Sequence, residues 1–147
     1  MKWIYLLMLL IIVSFYSDHA NSGETIIQLH TVSQHYGENK GYGEGNLFED
    51  WNEANLGVGI RDYSADGYLT YGIYSNSIRK ASAYIGYGWE MDVGDFKVGV
   101  VAGLITGYNL AEVLPYIVPV IRYDAVSIVV APYPEPVVHI IVDILEW

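Results

Sequence analysis

Between residues 81 and 91 the chain alternates without a break. Ala81, Ala83, Ile85, Tyr87, Trp89 and Met91 share one parity; Ser82, Tyr84, Gly86, Gly88 and Glu90 share the other. A period of two is the signature of a strand with two unlike faces, because successive side chains of an extended chain point to opposite sides. The same pattern recurs. Leu56, Val58 and Ile60 oppose Asn55, Gly57, Gly59, Arg61 and Tyr63. Val98, Val100, Ala102 and Leu104 oppose Lys97, Gly99, Val101, Gly103 and Ile105. Val138, Ile140, Val142 and Ile144 oppose His139, Ile141, Asp143 and Leu145. One face is aliphatic throughout, and the other is small and aromatic with few charges. A soluble sandwich would make its second face generously polar. The lumen of a narrow eight-stranded barrel would not, and the aliphatic face would then meet lipid.

Turn chemistry divides the chain into eight such segments: 24–36, 55–64, 68–75, 81–91, 96–106, 116–124, 126–131 and 137–147. Asp66-Gly67 and Asp92-Val93-Gly94-Asp95 are hairpin signals. Pro115, Pro132, Pro134 and Pro136 fall at or near segment edges, and Pro119 lies inside one, where it predicts a bulge or a local opening of the ladder. The expected fold is all-β: an eight-stranded antiparallel up-and-down membrane β-barrel, preceded by a signal peptide, with a soluble periplasmic β-domain as the competing form. Residues 37–53, with Gly37, Gly41, Gly43 and Gly45 among acidic residues, read as the one long loop.

Residues 1–22 read as the signal peptide. Lys2 precedes the apolar run from Trp3 to Val13, and Ala20 and Ser22 are the small residues before the expected cleavage point. Residues 23–147 are then the barrel domain. Beyond residue 22 there is no apolar run of the roughly 20 residues that a spanning helix needs. The chain has no cysteine, which excludes disulfides, thiolate zinc sites and a cysteine nucleophile. Its formal charge of −10, from 7 basic and 17 acidic residues, argues against nucleic acid as a partner. His30, His35 and His139 lack metal-ligand spacing, so neither a metal nor a cofactor is expected.

The stretch Tyr74-Ser75-Asn76-Ser77, followed by Gly86-Tyr87-Gly88-Trp89-Glu90, resembles the active-site loop and next strand of the outer-membrane lipid A palmitoyltransferases (the PagP type). Trp51-Asn52-Glu53 before Gly57-Val58-Gly59, the strand ending Thr106-Gly107, and Val113-Leu114-Pro115 with Val118-Pro119-Val120 resemble further parts of that family in order and spacing, from about His30 to Pro134. The resemblance implies an outer-membrane barrel, monomeric and lipid-embedded. It would move a palmitoyl chain from a phospholipid to lipid A, or act on another membrane lipid, using a His, an Asp and a Ser near the outer rim and an acyl-measuring lumen. Carried across by position, the Ser is Ser77, the Asp position reads Asn76, and the floor glycine is Gly88. The His is His30 by strand parity, with His35 as the alternative if a bulge reverses the parity. Arg79 and Lys80 would hold head-group phosphates. Asn76 can orient an imidazole but carries no charge, so the resemblance leaves two forms open: an acyltransferase, or a non-catalytic lipid-binding or structural barrel. Asn-Ser pairs of this kind also recur in compact phage and environmental barrels resembling the family.

Overall fold

The computed structural model describes residues 23–36, 52–108, 111–131 and 137–146. Eight strands, β1 (Thr25–His35), β2 (Ala54–Ser64), β3 (Gly67–Ser75), β4 (Ala81–Val93), β5 (Phe96–Thr106), β6 (Val113–Tyr123), β7 (Val126–Ala131) and β8 (Val137–Glu146), follow one another in chain order. Each pairs antiparallel with the next, and β1 pairs with β8, which closes the barrel. No helix occurs among the described residues. The signal-peptide segment, most of the long loop, Pro132, Pro134, Pro136 and Trp147 lie outside them.

The two ends of the barrel differ. At one end β2–β3, β4–β5 and β6–β7 are joined by two-residue turns, and Gly94 and Asp124 take the left-handed conformation that such turns require. The start of β1 and the end of β8 meet there, with Ile26 opposite Glu146. The other end carries every longer connection, including the short loop with Asn76 and Ser77.

The alternation holds around the wall. Leu56 (68% exposed), Val58, Ile73, Met91, Val98, Val100, Ile117 (69%), Ile128 and Ile144 point outward, so that nearly every strand adds aliphatic surface to the outside. Inside, four of the lumen's tyrosines each lie directly across one ladder from a glycine. The pairs are Tyr74 with Gly57, Tyr84 with Gly72, Tyr68 with Gly88 and Tyr116 with Gly103. A methyl group at Gly88 would stand 2.2 Å from the Tyr68 ring. Part of the abundance of both residue types is therefore one packing device: each of these rings occupies the space that a bare position on one neighbouring strand leaves open.

β6 begins earlier than its pattern suggests and includes Pro115 as well as Pro119. Its ladder with β5 runs unbroken from Val113 to Tyr123, whereas its ladder with β7 stops at Val120. Pro119 thus lies just past the last described β6–β7 pair, where a missing amide donor is tolerated.

Candidate functional site

β1 sets the geometry of the site by an irregularity at Thr31, where it holds one residue more than β8 and one fewer than β2. Between His30 and Val32 its register shifts against both β2 and β8, and Thr31 Oγ1 donates to the Ile140 carbonyl at 2.8 Å. Below this bulge Ile26, Gln28 and His30 face the lumen; above it Ser33 and His35 do. This is the bulge that the His35 alternative required, and it brings both histidines inside.

The structure brings His35, and not His30, to the loop serine. His35 Nε2 lies 2.8 Å from Ser77 Oγ, at the rim. His30 sits deeper, with Nε2 2.8 Å from the Tyr84 hydroxyl and its ring stacked on Tyr74 at 5.1 Å. Ser77 is reached from the other side by the Tyr108 hydroxyl, which is also 3.0 Å from that of Tyr74. Burial raises the Tyr108 phenol above its ordinary range, so it stays neutral and serves only as a hydrogen-bonding group. Tyr108 was not among the residues chosen from the sequence; its signal was its place just after the Thr106-Gly107 turn.

Asn76 is fully buried, and its amide has no bond left for a histidine. Nδ2 donates to Ser82 Oγ at 3.0 Å and to the Gly107 carbonyl at 2.9 Å; Oδ1 accepts from the amides of Ile78 and Lys80. These four bonds exhaust a side-chain amide's usual capacity. Asn76 therefore organises the turn from within and ties it to the end of β5. Two more asparagines support it. Asn52 donates from its backbone to the Ser77 carbonyl and from Nδ2 to the Asn76 carbonyl, while Asn55 Nδ2 donates to the Ser75 carbonyl at 3.0 Å. Glu53 follows Asn52 and lies within electrostatic reach of His35. Arg79, in a left-handed conformation, and Lys80 are exposed on the same loop.

Below the rim is a cavity of about 390 Å³. One side is aliphatic, from Val101, Ile105, Leu114, Val118, Val120 and Val129; the other is polar and aromatic, with Gln28, His30, Ser33, Thr70, Tyr84 and His139. Gly88 is not on its wall, because Tyr68 covers it and itself forms part of the cavity's lower lining.

Beneath Tyr68 the lumen is sealed by charge. Arg61 pairs with Asp143 at 3.3 Å and donates to Ser127 Oγ; Arg122 pairs with Glu90 at 3.3 Å and reaches Asp143 at 3.8 Å. Gln28 and Tyr63 donate to Asp143 and Glu90. The Arg61 guanidinium lies over the Tyr68 ring, at 5.0 Å from its centre.

A serine hydroxyl within hydrogen-bond reach of an imidazole is the minimum arrangement for nucleophilic attack assisted by a general base. No cluster of His, Asp and Glu suited to a metal ion occurs among the described residues. No family model matches this chain, and no curated protein matches it.

Proposed function

We propose that this chain is an outer-membrane lipid-handling barrel that holds an acyl chain in its lumen and transfers it between lipids. The observation that carries the reading is the 2.8 Å contact between Ser77 Oγ and His35 Nε2 at the mouth of a half-aliphatic cavity. Three further features support it. The outward aliphatic surface is far larger than a water-facing monomer sustains. The strands, apart from β7, have the length of membrane-crossing strands, and the turns are short at one end only. Pro119, with no amide to donate, stands just beyond the last β6–β7 pair at Val120 and marks a seam for sideways entry of a chain from the bilayer.

In this reading Ser77 Oγ attacks the ester carbonyl of a phospholipid while His35 Nε2 takes its proton. Collapse of the tetrahedral species breaks the ester bond, and the proton returns to the departing lysophospholipid hydroxyl. A hydroxyl of lipid A, or of another acceptor, then displaces the acyl group from Ser77, with His35 again as base. Glu53 supplies the nearby negative charge, and Arg79 and Lys80 hold the phosphates.

The bonding of Asn76 favours a second reading, a barrel that binds lipid without reacting, because the position that carries the family's carboxylate is spent on holding the loop.

The test is transfer of a labelled palmitoyl chain from phospholipid to lipid A in detergent. Native protein should transfer it, Ser77→Ala and His35→Phe should each lower the rate by about 10²–10⁴-fold, and Glu53→Gln should lower it less. No transfer by native protein with heat-modifiable gel mobility would leave the binding reading in its place.

A further inference from the structure

Four polar atoms on the cavity wall are buried and unbonded. They are Nδ1 of His30, Oγ of Ser33, the hydroxyl of Tyr68 and Nε2 of His139; none has a partner among the described residues. His30, Ser33 and Tyr68 are 4%, 5% and 1% exposed, and all four residues line the one cavity. Elsewhere on the same wall the polar atoms are linked to one another, from His30 Nε2 and Tyr84 through Thr70 and Gln28 to Asp143. Nε of Arg61 and Arg122 and Oε1 of Glu90 belong to the ion-paired floor, and Oδ1 of Asn55 to the rim scaffold, where the rest of each group is engaged.

Three of the four gather at one level. Ser33 is directly opposite His139 across the β1–β8 ladder, and the His139 ring is 5.1 Å from that of His30. This level lies between the Ser77–His35 contact and Tyr68. A buried polar atom without a partner forfeits its hydration with nothing in return, so a cavity built this way disfavours an all-hydrocarbon occupant along that wall. A hydroxyl is the smallest group that both donates and accepts, and can bridge two such atoms at once. The aliphatic wall from β5 to β7 still requires hydrocarbon on the other side.

We propose that the cavity selects an acyl chain bearing a hydroxyl part way along its length over the unsubstituted chain of equal length. The inference rests on the reading that the lumen holds an acyl chain. Ser33, His30 and His139 are the specificity-determining residues, with Tyr68 below them facing the chain's far end.

The experiment offers the full-length, detergent-folded protein equal amounts of palmitate and of hydroxypalmitates with the hydroxyl near the carboxylate, mid-chain or terminal. Retained chains are then counted by mass spectrometry after gel filtration. A non-terminal hydroxypalmitate should be enriched about tenfold over palmitate, the worth of one well-made buried hydrogen bond. Ser33→Ala and His139→Phe, each checked for heat-modifiable mobility, should bring the ratio near one, and either variant alone suffices if the other does not fold. Equal retention of all chains, preference for palmitate or for the terminal hydroxyl, or an enrichment that survives a folded variant overturns the selectivity while leaving acyl binding intact. Retention of no chain overturns acyl binding itself.

Discussion

The floor and the rim of this lumen are built on opposite principles. The floor is ionic: two guanidiniums and two carboxylates share partners, so that Asp143 touches Arg61, Arg122 and Gln28 at once. The rim is held by neutral amides, with Asn52, Asn55 and Asn76 each spanning two or more backbone segments. A charge network resists rearrangement because removing any member strands another charge out of water. An amide scaffold positions a loop without setting a strong local field, and so leaves the chemistry to whichever side chains the loop presents. Stability is thus concentrated where no substrate reaches, and the reactive contact stands where change is less costly.

The largest expected effect lies in the floor. Asp143→Ala should cost about 3–5 kcal/mol, since it deprives two buried arginines of their shared carboxylate. The denaturant midpoint of the detergent-folded barrel would show this, and a cost below about 1 kcal/mol would mean that the floor is not the stronger region. Asn76→Asp comes next. A carboxylate there would face the Gly107 carbonyl with no donor to offer, and should cost about 2–3 kcal/mol. It should also leave the acyl-transfer rate no higher. A gain in rate would show that the rim is poised for a carboxylate after all. Gly88→Ala is the smallest of the three, at about 1–3 kcal/mol from crowding of Tyr68. Combining it with Tyr68→Ala should remove most of that crowding cost, as the difference between paired variants would reveal.

Much of the fold was legible because its signals are local. The alternation in β2, β4 and β5 fixed their faces, and Asp66-Gly67 marked its hairpin; in β8 it held as far as Asp143, past which a register shift sets Leu145, expected in the lumen, opposite outward Ile27. The candidate site was legible in part. The Asn76-Ser77 loop stood out, yet the buried role of Asn76 depends on Ser82 and Gly107, which only the closed sheet brings near. The Arg61–Asp143 pair joins residues far apart in the chain and leaves no trace in either segment. The tyrosine–glycine pairs needed the register before composition could be explained. Pro115 read as an edge residue because a proline's tolerance depends on which neighbouring strand lacks a ladder there. The choice between His30 and His35 turned on a bulge at Thr31, which carries none of the glycine or turn residues that announce one.

That bulge makes the upper part of β1 readable only in a shifted frame. Its consequence is a dependence on length as well as identity. With the bulge kept, deleting Gln34 would turn His35 to the outside, whereas deleting Thr31 would remove the bulge itself and leave Ser33 and His35 facing the lumen. Point substitutions along β1 would leave such a dependence unseen, whereas the place at which one codon is lost, at the bulge or above it, decides whether the serine at the mouth keeps an imidazole beside it.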